Sequence, residues 1–219
     1  MITYKPLIWV EGIIGSGKST FSRLLAKKLN LRYIAEPVDN DYLTIFYENP
    51  KRWAFPMQID LLHKRYALQK LAAFEAIGES DYQGVVLDRG LPGDRVFARL
   101  HMLAGNISEV EWKTYLRAYD TMTCSLIPPS LMIFLDVEPK VAMKRMQKRD
   151  RSFEARVPLD YLEKLERGYM DLLAEIDSGQ HAWSRGMELI RLPWNTDHQP
   201  MENIVQKLSQ KYRLEVLDE

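Results

Sequence analysis

Leu7-Ile8-Trp9-Val10 runs straight into Glu11-Gly12-Ile13-Ile14-Gly15-Ser16-Gly17-Lys18-Ser19-Thr20, and the helix-patterned residues Phe21, Leu24, Leu25 and Leu29 follow. This is a complete G-x-x-x-x-G-K-S phosphate loop in the setting it requires, an apolar strand before it and an amphipathic helix after it. Glycines at 12, 15 and 17 let the backbone wrap closely enough for its N–H groups to face phosphate oxygens, and the helix N-terminus adds partial positive charge. Lys18 is expected to reach the β- and γ-phosphates, and Ser19 to hold Mg2+. Residues 12 to 20 therefore predict a nucleoside triphosphate site.

Working outward, four more short apolar runs read as strands: 31 to 35, 84 to 88, 130 to 136 and 188 to 193, beside 5 to 11 for the first. Helical patterns separate them, over 18 to 29, 51 to 77, 92 to 103, 109 to 126, 139 to 149, 158 to 178 and 199 to 213, as right-handed crossovers require. The fold class is α/β, a five-stranded parallel sheet flanked by helices. Pro56 is expected to bend the second helix or to mark its true start. The 219 residues, 46% hydrophobic, suffice for one domain spanning 1 to 219.

Thirty Lys and Arg balance thirty Asp and Glu, so no global field draws nucleic acid or an acidic membrane. The single cysteine, Cys124, excludes an internal disulfide, and His63, His101, His181 and His198 have no metal-ligand spacing with it. No apolar run approaches the ~18 residues of a membrane span, and no secretion signal is read, so the expected location is cytoplasmic.

Ligands of such a sheet sit beyond the carboxyl ends of its strands. Glu36, Asp88 and Asp136 fall at three of those ends; Asp136 reads as a cap or turn residue, the other two as partners for Mg2+ and for an acceptor group. A guanine-recognising Asn-Lys-x-Asp is missing at Asn195-Thr196-Asp197-His198, which argues against a GTP switch. Lys144, Arg145, Lys148, Arg149 and Arg151 crowd one stretch, suited to a lid over about 144 to 156 that neutralises a transferring phosphoryl group and excludes water. In the stretch Tyr47 to Gln58, helical spacing sets Gln58, Leu61, Leu62 and Arg65 near one face, and an inward amide is suited to a nucleobase edge.

Walker loop, Glu36-Pro37, Tyr47 through Gln58, Arg65, Asp88-Arg89, Asp94, and Arg145 through Glu154 followed by Val157-Pro158-Leu159-Asp160-Tyr161-Leu162 occur in the order and spacing of the deoxynucleoside kinase family. The chain resembles the branch of deoxycytidine, deoxyguanosine and deoxyadenosine kinases, most of all the bacterial or phage deoxyadenosine and deoxyguanosine enzymes. The resemblance implies a P-loop kinase fold and ATP–Mg2+-dependent phosphorylation of a deoxynucleoside at its 5′-hydroxyl. It makes Glu36 the general base and sets Arg89 on the acceptor oxygen and transferring group, with Asp88 at the metal or its water. Tyr47 and Glu154 bind the sugar, Gln58 pairs with the base, and Met57 or Phe55 flanks its plane. Arg65 and Asp94 form an ion pair beside the base, Arg145, Arg149 and Arg151 form the lid, and Asn195 with Asp197 and His198 lies near the adenine of ATP. The ion pair argues for dA, dG or dC over thymidine, with deoxyadenosine first.

Relatives commonly carry serine where Gly90 stands, and a glycine there is expected to loosen the turn. Two rivals remain: a nucleoside monophosphate kinase of the thymidylate kinase type, and an inactive accessory protein of the same fold. A homodimer through helical faces is implied, with Tyr115, Leu116, Tyr119 and Met122 as one candidate surface and chain-internal packing as the other reading.

Overall fold

The computed structural model describes residues 5–37, 41–149, 157–196 and 201–217. Five strands, β1 (Leu7–Glu11), β2 (Leu31–Ile34), β3 (Gly84–Asp88), β4 (Leu131–Asp136) and β5 (Glu188–Pro193), pair in the order β2-β3-β1-β4-β5. Every pairing is parallel, with Ile8 opposite both Val86 and Leu131 at the centre. The three inner strands are buried almost end to end because helices cover both faces, whereas β2 and β5 at the edges are only partly covered.

Among the described residues there are eight α-helices, α1 (Lys18–Lys28), α2 (Asp41–Glu48), α3 (Pro50–Ile77), α4 (Leu91–Leu103), α5 (Glu109–Thr123), α6 (Pro139–Arg149) and α7 (Leu159–Asp177) between the strands and α8 (Glu202–Tyr212) after β5. The start of α3 is set by Asn49, whose side chain accepts from the Arg52 amide, with Pro50 in the first turn. Pro56 thus lies inside the helix and does not mark its start. As expected for 139 to 149, Lys144 to Arg149 form the last turns of α6; residues 150–156, the rest of the expected lid, lie outside the described residues. Helix α2 has no counterpart in the sequence reading. Its aromatic and β-branched residues are modest helix formers, and the helix is held by a satellite cluster in which Phe46 packs with Ala54, Met57, Leu61 and Ile107. Helix α5 ends at Thr123, ahead of the expected 126, where the Leu126 amide turns back to the Thr123 carbonyl. Among the described residues no helix is long and apolar enough to cross a membrane.

Tyr115 and Tyr119 are buried inside the chain, so they do not supply the docking surface proposed for α5; Leu116 and Met122 are partly covered. Chain-internal packing, the other reading, is what the fold adopts for the two tyrosines.

Gly90 also departs from expectation. Trp9, wholly buried in β1, donates its indole N–H to Gln69 Oε1 at 2.7 Å and packs edge-on against Trp183. A Cβ at position 90 would stand 2.6 Å from Trp9 Cδ2, so the glycine is there to admit an indole, and the turn is filled, not loose. Gly90→Ser should lower stability by about 1–3 kcal/mol, the range for overpacking a core. In urea unfolding, Gly90→Ser combined with Trp9→Leu should lose less than the sum of the two single changes. Strict additivity would show that the indole is not the obstacle.

Candidate active site

The phosphate loop joins β1 to α1. Gly17, immediately before α1, is left-handed (φ 91°), and no side chain caps the helix, which leaves its N-terminal dipole facing outward. At Gly15, also left-handed (φ 78°), a Cβ would stand 2.5 Å from the Ala142 carbonyl oxygen, so α6 rests directly on the loop. From α6, Arg145 Nη1 donates to the Ser16 carbonyl at 3.2 Å. Lys18 is buried, its Nζ donating to the Gly12 and Ile13 carbonyls at 3.0 Å each. Burial is the main cause that pulls its pKa down to about 8; Arg89 adds to the fall, and Glu36, Asp88 and Glu11 oppose it.

Beside the loop, three strand ends contribute a charge cluster. Glu36 Oε1 accepts from Arg89 Nε at 2.7 Å and from Arg65 Nη2 at 2.8 Å. Burial alone would raise the Glu36 pKa, but Arg89, Arg65 and Lys18 together outweigh it and hold the carboxyl at about 2. Arg65 bonds Asp94 Oδ2 through its other terminal nitrogen, and the Tyr115 hydroxyl donates to Asp94 Oδ1 at 2.7 Å. Arg89 bonds the Tyr169 hydroxyl, which donates to Glu11 Oε2 at 2.9 Å. Its guanidinium carbon also lies 4.8 Å from the centre of the Phe97 ring. Asp88 Oδ2 accepts from the Tyr33 hydroxyl at 3.3 Å, whereas its buried Oδ1 has no hydrogen-bond partner among the described residues.

A cavity of about 780 Å3 opens from the loop toward α3, α4 and α7. Of the residues singled out in the sequence, Ile14, Gly15, Gly17, Lys18, Ser19 and Thr20 line one end of it, and Glu36, Tyr47, Met57, Gln58, Arg65, Arg89 and Arg149 line the rest. This is a triphosphate-sized loop and an acid-bearing pocket sharing one cleft. A model of the deoxynucleoside kinase family matches residues 8–211.

The chain belongs to the deoxynucleoside kinase family. It is 34% identical to the deoxyadenosine kinase of Dictyostelium discoideum over 206 residues, 94% of this chain and 78% of that protein. It is 31% identical to the deoxyguanosine kinase of Lactobacillus johnsonii over 95% of each chain. A solved structure of deoxyadenosine kinase from M. mycoides with bound dCTP shares the P-loop kinase fold, with TM-score 0.75 and 25% identity over 94% of this chain and 98% of that one. The protein is accordingly a phosphotransferase that acts on deoxynucleosides with a nucleoside triphosphate as donor.

The remaining sequence-selected residues of the kinase fall into four groups. Gly12, Ile13, Ser16, Asp88 and Asp94 stand behind the cavity wall; Asp94 is wholly buried and both its oxygens are taken by Arg65 and Tyr115. Phe55 packs among the apolar clusters and is not part of the cavity wall, which leaves Met57 there. Asn195 sits on the segment after β5, where its amide is engaged with Glu138: Oδ1 accepts from the backbone N–H and Nδ2 donates to the carboxylate. Arg151, Glu154, Asp197 and His198 lie outside the described residues.

Sequence reasoning gives Glu11, Tyr169, Tyr115 and Phe97 no role in the site. A signal existed for Glu11, since a carboxylate at the end of a wholly apolar strand must find buried partners. The aromatics carried none, because at helical spacing they read as ordinary core.

Proposed function

We propose that this kinase, a single domain, transfers the γ-phosphoryl group of ATP in line to the 5′-hydroxyl of a deoxynucleoside, with Glu36 as the acceptor of the hydroxyl proton. The observation that carries this reading is the Glu36 carboxylate, 21% exposed, standing between Arg65 and Arg89 on the wall of the cavity that also holds Lys18. Arg89 holds the acceptor oxygen and the transferring group, and Arg145 and Arg149 complete the cationic surround from α6, joined by Arg151. Acceleration comes from placement and fixed charge, with no covalent intermediate.

The residues suit Mg2+. Mg2+ keeps most of its waters and takes one or two protein ligands besides phosphates. The unpartnered Asp88 Oδ1, with the Ser19 hydroxyl on the cavity wall, provides for it. When bound, the ion neutralises phosphate charge.

At the nucleoside end, two buried groups of opposite sense lack hydrogen-bond partners among the described residues: the acceptor Gln58 Oε1 and the donor Arg65 Nε. An exocyclic amine beside a ring nitrogen complements such a pair, as on adenine and cytosine; guanine is read after the amide turns over. The Arg65–Asp94 pair crowds the site of a thymine methyl. The proposed order puts deoxyadenosine first, then dG or dC, with thymidine disfavoured; relatives named for both deoxyadenosine and deoxyguanosine are in keeping with a purine. Tyr47 and Glu154 hold the sugar, Met57 flanks the base, and Asn195, Asp197 and His198 lie near the donor's adenine. The enzyme works in the cytoplasm as a homodimer, without nucleic acid or membrane partners.

A panel of dA, dG, dC, thymidine and dAMP with ATP–Mg2+ tests the reading. Turnover of dA above the other nucleosides, with none of dAMP, is the expected result. Preference for dAMP would make this a monophosphate kinase, and no ADP with any acceptor would make it an accessory protein.

The Lys18 pKa near 8 adds a pH signature. A triphosphate favours the ammonium form, so binding retains a proton that the free protein loses above pH 8. Affinity for a non-hydrolysable ATP analogue should hold from pH 6.5 to 8 and then fall, by at most about tenfold per pH unit. Constant affinity up to pH 9.5 would remove Lys18 from phosphate binding.

A further inference from the structure

Arg89 is held from two sides, and only one of them takes part in the chemistry described above. On the cavity side its Nε meets Glu36. On the inner side Nη1 meets the Tyr169 hydroxyl and lies 3.7 Å from Glu11 Oε2. The same Glu11 accepts from the Gly90 amide at 2.8 Å through its other oxygen, so one carboxylate secures both the side chain of Arg89 and the backbone that follows it. That backbone needs securing, because Arg89 is one of three non-glycine residues with positive φ among those described (φ 72°).

The surrounding helices are built to let this pair in. A Cβ on Gly93, in the first turn of α4, would stand 2.6 Å from the Tyr169 hydroxyl and 2.7 Å from Glu11 Oε2. A Cβ on Gly168 in α7 would stand 2.8 Å from Val96 of α4. Two glycines thus bring α4 and α7 together over a wholly buried glutamate and a wholly buried tyrosine. The placement of Glu11 at the start of α4 also sets negative charge against the positive end of that helix.

We propose that Glu11 and Tyr169 are a positioning pair for Arg89, keeping its guanidinium at the transfer point when Glu36 turns to the acceptor hydroxyl. This rests on the role given to Arg89 under the proposed function. As Glu36 takes the proton its charge disappears, and its hold on Arg89 weakens at the moment the guanidinium must face the phosphoryl oxygens. The hydroxyl of Tyr169, polarised by Glu11, does not change during the reaction. Without it the guanidinium, 3% exposed and lying over Phe97, keeps on its Nη1 side only the longer ion pair with Glu11 Oε2 at 3.7 Å among the described residues.

The test is a double-mutant cycle in the full chain. Tyr169→Phe, which removes one hydroxyl, should lower kcat about tenfold, the loss of one charge-assisted hydrogen bond, with KM for deoxyadenosine and ATP within about twofold and thermal unfolding moved to lower temperature by the stranded Glu11 oxygen. In an Arg89→Lys background the same change should cost less than about twofold, because the group it positions is gone. Glu11→Gln, which keeps an acceptor for Gly90 but sets an amide donor against the tyrosine hydroxyl, should repeat the pattern and serves if Tyr169→Phe folds poorly. Equal loss of kcat in both backgrounds, or no loss in either, would overturn the positioning role. An Arg89→Lys enzyme of undiminished kcat would instead overturn the role of Arg89 itself.

Discussion

Glu36→Gln should lower kcat by about 10²-fold or more while ATP still binds, the range for losing a positioned proton acceptor. The substitution keeps the shape of the side chain and removes its charge. Arg65 retains Asp94 and Arg89 retains Tyr169 and Glu11, so the site should remain assembled and the loss should appear in turnover, not in folding. The two guanidiniums that hold the Glu36 carboxyl at about 2 also make it a weak base in the free enzyme. Proton transfer must then come late, after bonding to phosphorus has made the hydroxyl acidic, as a loose transition state allows. The sign of the pH dependence follows. With the folded pKa below the ordinary carboxylate value of 4.5, the stability that ionised Glu36 contributes is complete above pH 4.5 and lost as the pH falls toward 2. Single-turnover rates of Glu36→Gln within about twofold of the natural enzyme would remove Glu36 from the chemistry.

Asp94→Ala should be among the most destabilising single changes in the molecule, by about 3–5 kcal/mol, because it leaves a buried guanidinium short of its partner. Asp94 is fully enclosed and bonds both Arg65 and the Tyr115 hydroxyl. The hydroxyl would be stranded as well. Removing both charges together, as Arg65→Met with Asp94→Leu, should recover much of that stability, since the desolvation of the pair disappears with it. The double variant should also admit thymidine, the space beside the base being then apolar. Urea unfolding and the nucleoside panel measure the two effects separately. Asp94→Ala within about 1 kcal/mol of the natural protein would show that the pair is not an enclosed charge couple, and unchanged selectivity in the double variant would detach the pair from base choice.

The two arginines differ in how far they were legible. Both were expected in the site, and the cavity wall carries both. What sits behind each, Asp94 with Tyr115 for Arg65 and Glu11 with Tyr169 for Arg89, was visible only in part. Asp94 is singled out by the family resemblance as the partner of Arg65, whereas for Tyr115 the sequence leaves an external face and chain-internal packing both open, and the fold adopts the second. The difference is physical: an ionisable group inside an apolar pattern demands a partner, but a tyrosine at helical spacing satisfies the pattern without one and its hydroxyl can face any direction.

From the chain alone came the five strands, the phosphate loop and the family, because each is written locally, as apolar runs too short for helices, glycines where backbone must approach phosphate, and charged residues at strand ends. Only the tertiary structure decided that α2 is a helix, that Gly90 makes room for an indole, and that Glu11 reaches Tyr169 158 positions later. Those outcomes depend on which surfaces meet. Contacts between residues far apart in the chain are set by the packing of whole elements, and no local period of the sequence carries that information.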